Sequence, residues 1–144
     1  MHVTTILSNK GHQIYSISPE ATVAELVRTL CDQRVGALLV LDQTGSIVGI
    51  VSERDVVRAL GENPRALSDS VGAIMTSDVV TAPDQAEVAE LMRVMTERRI
   101  RHIPVLDDSG KLSGLVSIGD VVKNRMDELE AERSALMDYI TQGG

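Results

Sequence analysis

Gly49-Ile50-Val51-Ser52-Glu53-Arg54-Asp55-Val56-Val57 returns 65 positions later as Gly114-Leu115-Val116-Ser117-Ile118-Gly119-Asp120-Val121-Val122. Working outward, Val23-Ala24-Glu25-Leu26 returns at the same offset as Val88-Ala89-Glu90-Leu91. From position 23 to position 57, 16 of 35 residues are identical without a gap. Ordinary residue frequencies give roughly two or three by chance. Upstream, Ser18-Pro19 matches Ala82-Pro83 at an offset of 64, so a single insertion follows the proline. Two copies are too few for an open solenoid. They are expected to pack on each other with pseudo-twofold symmetry.

Each copy reads as β-α-β-β-α. A short apolar strand comes first, at 14–17 and again at 79–81, and proline ends it because proline cannot continue a ladder. A helix follows. Val23, Leu26, Val27, Leu30 and Cys31 recur at helical spacing, as do Val88, Leu91, Met92 and Met95. This places Cys31 on a core face as an inert packing residue. Thr22 with Glu25 forms a capping-box start. Continuous apolar strands at 37–41 and 103–106 then turn through Asp42-Gln43-Thr44-Gly45 and Asp107-Asp108-Ser109-Gly110 into returning strands at 47–51 and 112–116. A second helix starts at Ser52 or Ser117. The fold class is α/β of the α+β kind, sheets covered by helices, plus an extended C-terminal helix.

The domain reading is a first repeat at 1–60, a linker at 61–70 rich in Gly, Asn, Pro, Ser and Asp, a second repeat at 71–124, and a helical extension at 125–144. Val71-Gly72-Ala73-Ile74-Met75-Thr76 leads into the second repeat, and residues 1–11 are its diverged counterpart. In the extension, Val122, Met126, Leu129, Leu136 and Ile140 alternate spacings of four and three, with Arg133 in one slot. Such a stripe packs on its own sheet or on a second copy of the chain. Because the helix outruns its repeat, a homodimer is the preferred expectation.

Composition narrows the functions. Hydrophobic residues make up 43% of the 144, but aromatics only 1%, namely Tyr15 and Tyr139. The core must be aliphatic, and a base-stacking platform has no rings to use. The net charge of −7 disfavours nucleic acid as a partner. No apolar run is long enough for a membrane span. The single cysteine excludes an internal disulfide, and the start lacks a secretory pattern, so the cytoplasm is the expected location. His2, His12 and His102 show no metal-ligand spacing, and no P-loop or nucleophile elbow is present. An enzyme is therefore not expected.

The repeated Ser-x-x-Asp carries the remaining signal. Serine at an N-cap and an acid at the third helical position stabilise a helix start by themselves. The same groups, beside free helix amides, also suit a ribose diol and a phosphate.

Two β-α-β-β-α repeats, each ending in Gly-hydrophobic-Val-Ser-x-x-Asp, resemble the CBS-domain family, and the pair resembles a Bateman module. The resemblance runs from about Val3 to Lys123 and leaves out the C-terminal extension. It implies an adenine-nucleotide cleft per repeat, for AMP, ADP, ATP, NAD(H) or S-adenosylmethionine. It also implies regulation through a partner or a dimer interface. The first site would be Gln13, Ile14 and Tyr15, Gly36, Ala37 and Leu38, with Ser52, Arg54 and Asp55. The second would be Asp78, Val79 and Val80, Arg101, His102, Ile103 and Pro104, with Ser117, Ile118 and Asp120. In each, the motif aspartate holds the ribose hydroxyls. The second is preferred for a phosphorylated ligand because Arg98, Arg99, Arg101 and His102 stand where the first repeat has only Arg34. Arg98 and Arg99 are read mainly as helix-end charges. Arg54 or Lys10 would supply charge to the first site. The alternative is an oligomerising CBS pair with vestigial sites.

Overall fold

A computed structural model describes residues 1–143. The elements in chain order are α1 (Val3–Lys10), β1 (Ser16–Ile17), α2 (Val23–Gln33), β2 (Ala37–Leu41), β3 (Ile47–Ser52), α3 (Glu53–Glu62), α4 (Val71–Ile74), β4 (Ala82–Pro83), α5 (Val88–Arg98), β5 (His102–Leu106), β6 (Leu112–Ser117) and α6 (Ile118–Gly143). They form two compact units. One is Gln13–Val80; the other joins Met1–His12 to Thr81–Gly144. This differs from the boundaries read off the repeat: the first twelve residues leave the first copy, and residues 71–80 join it.

The exchange has a repeated hydrogen-bond signature. In the Gln13–Val80 unit, Val71 N donates to Ala21 O (2.8 Å) and Val23 N to Asp69 O (2.9 Å). In the other unit, Val3 N donates to Ala86 O (2.9 Å) and Val88 N to Met1 O (2.8 Å). Val71 and Val3 are both fully buried. Each leading segment thus docks on the helix start of the other copy. The segment 61–70 is more than a linker: it carries a 3-10 turn, Ala66–Ser68, whose Ala66 is buried.

The Gln13–Val80 unit holds a sheet in the order β1-β2-β3, and the second unit one in the order β4-β5-β6. In both, the first pair is parallel and the second antiparallel. The opening strands are shorter than the sequence pattern indicates. β4 also lies beyond 79–81, at Ala82–Pro83, where Pro83 closes an edge strand that needs no amide from it. The hairpin turns are near-copies. Asp42 Oδ1 accepts from Thr44 N and Ser46 N, Asp107 Oδ1 from Ser109 N and Lys111 N, and Gly45 and Gly110 take positive φ near 80°.

Both cores are aliphatic. Val23, Leu26, Leu30, Leu38, Val40, Val51 and Val71 fill one, and Val3, Leu7, Leu91, Met95, Ile103, Val105 and Val116 the other. Cys31 is exposed rather than buried. The inward stripe of α2 is Val23, Leu26 and Leu30, and the next residue turns about 100° away from it. Helices α2 and α5 both end in a left-handed arginine, Arg34 (φ 55°) and Arg99 (φ 56°).

Helix α6 is 26 residues long. Its inward residues are Val121 and Asn124, while Val122, Met126, Leu129, Leu136 and Ile140 are 48–64% exposed. The stripe therefore does not pack on its own sheet.

Candidate functional site

The Ser-x-x-Asp segments sit where a returning strand becomes a helix. In the Gln13–Val80 unit, Ser52 ends β3 and caps α3. Asp55 Oδ2 accepts from Ser52 N (2.9 Å) and Ser52 Oγ (3.2 Å), while Asp55 N donates to Ser52 Oγ (3.4 Å). This is a reciprocal capping box. Asp55 is buried, and its Oδ1 lies 3.4 Å from the exposed guanidinium of Arg58. In the second unit, Asp120 Oδ2 accepts from Ser117 N (2.8 Å), and Asp120 N donates to Ser117 Oγ (3.2 Å).

Each helix start is tied to the residue that opens the neighbouring strand. Glu53 N donates to Gly36 O (3.0 Å), and Ile118 N to Arg101 O (2.8 Å). Ala37 pairs across the ladder with Ser52, and His102 with Ser117. So Gly36, Ala37, Ser52 and Asp55 are brought together in one unit, and Arg101, His102, Ser117, Ile118 and Asp120 in the other.

Some expected lining residues are placed differently. Leu38 and Ile103 point into their own cores, at 0% and 1% exposure, and offer a ligand no side chain. Pro104 is buried. Tyr15 packs partly against the core beside Val27 and Val35, and its carbonyl accepts from Leu39 N (3.4 Å). Gln13, Arg54 and Arg101 are exposed, and Ile14 is half-buried. Asp78, Val79 and Val80 lie outside any strand at the end of the Gln13–Val80 unit, whereas Asp120 belongs to the other unit.

Lys10 is the main correction. Its charge does not serve the first motif. Lys10 Nζ lies 2.7 Å from Asp120 Oδ2 and 2.8 Å from Leu115 O, in the second unit. His12 follows it, with Nδ1 2.8 Å from Ser113 O. Burial raises the Asp120 pKa. The Lys10 ammonium and the Ser117 donors outweigh that effect, so the carboxyl stays below its ordinary value of 3.8. Asp120 opens on a cavity of about 290 Å³ that Lys10, Lys123, Asn9, Asn124 and Asp127 also line. The signal for Lys10 was its place at the end of α1, the diverged counterpart of α4. Arg58 lies one residue beyond the identical run, and its counterpart 65 positions later, Lys123, is also basic. No group of histidine, cysteine, aspartate and glutamate side chains suited to a metal ion occurs among the described residues. No described helix is long and apolar enough to cross a membrane.

This arrangement defines a pair of strand-to-helix carboxylate sites, one per repeat. The family model for the CBS domain matches residues 9–62 and 71–127. The chain belongs to the CBS-domain family and carries two copies of the domain. It is 40% identical over 128 residues to the mitochondrial CBS domain-containing protein CBSX3 of Arabidopsis thaliana; the match covers 85% of this chain and 61% of the plant protein. Among solved structures, the CBS-domain protein ATU1752 of Agrobacterium tumefaciens superposes with a TM-score of 0.84 at 38% identity, covering 86% of this chain and 92% of that one. The CBS domain protein PAE2072 of Pyrobaculum aerophilum, complexed with AMP, superposes with a TM-score of 0.75 at 28% identity, covering 83% and 89%.

Proposed function

We propose that this chain is a regulatory module that binds an adenine nucleotide at its Ser-x-x-Asp helix starts and signals through a dimer or partner interface. The observation that carries the reading is the doubled carboxylate. Asp55 and Asp120 each stand at a helix N-terminus, where a carboxylate can accept from ribose hydroxyls and helix amides favour a phosphate. The AMP held by the Pyrobaculum protein supports the ligand class. Occupancy would act by differential affinity for two arrangements of the chain or its dimer. The role is binding, not catalysis, and the cytoplasm is its proposed compartment. The exposed stripe of α6 supports a homodimer, since an apolar helical face with heptad spacing is stable when a second helix covers it.

A second reading has its own support. Both carboxylates already cap their helices, which by itself accounts for Ser-x-x-Asp in an oligomerising scaffold. A thermal-shift panel with AMP, ADP, ATP, NAD, NADH and S-adenosylmethionine separates the two. A ligand at about a hundred times its Kd adds about 2.7 kcal/mol to the folded state. A shift with one adenine compound supports the sensor; no shift with any supports the scaffold.

A further inference from the structure

The two motif carboxylates keep different company. Asp55 meets an arginine of its own helix, Arg58, which is 69% exposed. Asp120 meets Lys10, brought in from the far end of the chain. The cause is one helical turn. Helix α4, which docks beside the first motif, has four residues, whereas its counterpart α1 has eight. Val71 and Val3 hold equivalent places at the two starts. Met75 and Leu7 then face the equivalent glycines, Gly49 and Gly114. The extra turn of α1 runs on past Leu7 and ends in Lys10. No such turn follows Met75.

We infer that Lys10 makes the second repeat selective for a ligand that carries an anionic group beside its diol, and closes it to the neutral nucleoside. The inference rests on the ribose-binding reading given above. Asp120 Oδ2 already accepts from both Lys10 Nζ and Ser117 N. A diol that takes this carboxylate moves the ammonium aside. If the ligand is neutral, Lys10, whose side chain is 35% exposed, loses its ionic partner, and binding must offset that loss. If the ligand bears a phosphate, the phosphate becomes the new partner, and Lys123 on the same cavity adds a second cation. The first repeat has no counterpart to Lys10 and lacks this filter. The sequence-level preference of the second site for phosphorylated ligands thus gains a specific cation, different from Arg101 and His102.

The test is isothermal titration of AMP and adenosine in an Asp55→Asn background, which leaves Asp120 as the intact motif carboxylate. AMP is expected to bind at least tenfold more tightly than adenosine. Lys10→Met should shrink that ratio at least tenfold, by tightening adenosine, weakening AMP, or both. Lys10→Arg should preserve it. Lys10→Gln keeps a donor for the Leu115 carbonyl and should behave as Lys10→Met, which covers the case where methionine unfolds α1. If AMP binds and the ratio is unchanged in the Met and Gln variants, the role of Lys10 is overturned while the ribose site stands. If neither compound binds any of these proteins, the ribose site itself falls, and this inference with it.

Discussion

Alanine at Gly49 and at Gly114 should destabilise the two units by different amounts, and the difference follows from the exchange of leading segments. The two glycines are equivalent in the repeat and lie in β3 and β6. A Cβ at Gly49 would sit 2.5 Å from Met75 Sδ and 2.9 Å from the Thr76 carbonyl oxygen. That carbonyl is pinned: Ile50 N donates to it at 2.9 Å, and Thr76 N returns a bond to Ile50 O at 2.9 Å. The atoms nearest a Cβ at Gly114 all belong to the Leu7 side chain, at 2.5 Å from Cδ2 and 3.2 Å from Cδ1. A side chain can change rotamer; a doubly bonded backbone must move with its strand. Overpacking costs about 1–3 kcal/mol, so Gly49→Ala belongs near the top of that range and Gly114→Ala near the bottom. With a urea slope of about 1–3 kcal/mol/M, Gly49→Ala should lower the unfolding midpoint by roughly 1 M and Gly114→Ala by about half as much. Circular dichroism in urea measures both. Equal midpoints, or a larger loss at Gly114, would refute the docking of residues 71–76 on β3.

Three further outcomes follow. The carboxyl of Asp120 is held below 3.8, so its contribution to stability is present above that pH and is lost as the pH falls through the lowered value. Asp120→Asn should therefore be less stable than the parent at pH 6, and the gap should close as the pH falls through the lowered value; a gap independent of pH in acid melts contradicts the Lys10–Asp120 pair. Truncation after Asn124 removes Met126, Leu129, Leu136 and Ile140 and should turn a dimer into a monomer by sedimentation; an unchanged mass removes α6 from the interface. Arg34→Gly and Arg99→Gly relieve a left-handed strain of about 1–2 kcal/mol against a glycine entropy cost of about 0.5–1 kcal/mol, so each should raise stability by roughly 0.5–1 kcal/mol. A fall in melting temperature would mean that the arginine side chains do more than end their helices.

The legible part of this molecule is what repeats or has a period. The copies, the hairpin turns at Gly45 and Gly110, the capping serines and the long α6 all follow from local pattern, and local pattern is physically sufficient for them. The exchange of residues 1–12 and 71–80 has no local signal, since the bonds that fix it join residues far apart in sequence, as Val3 N does with Ala86 O. For the same reason the sequence alone does not show that Lys10 belongs with Asp120. Helical spacing does not settle the exposure of Cys31, because a stripe through Leu30 leaves its neighbour on either edge. The opening strands were overextended because two residues of parallel edge pairing are set by the partner strand, Leu39 and Val40 in one unit and Val105 and Leu106 in the other. Within the candidate sites, Ser52, Asp55, Ser117 and Asp120 were legible from repetition. Leu38 and Ile103 were not distinguished from core, because a continuous apolar strand does not say which face it shows.

The central claim is that these two carboxylates receive a ribose-bearing ligand. Isothermal titration of AMP against the parent chain, Asp55→Ala, Asp120→Ala and the double variant tests it directly. Each alanine removes a capping acid, at a cost of about 0.5–2 kcal/mol, so far-UV circular dichroism is recorded on the same samples to establish that the fold survives. The account predicts binding to the parent, fewer filled sites in each single variant, and no binding to a folded double variant. Undiminished AMP binding by the folded double variant would contradict it.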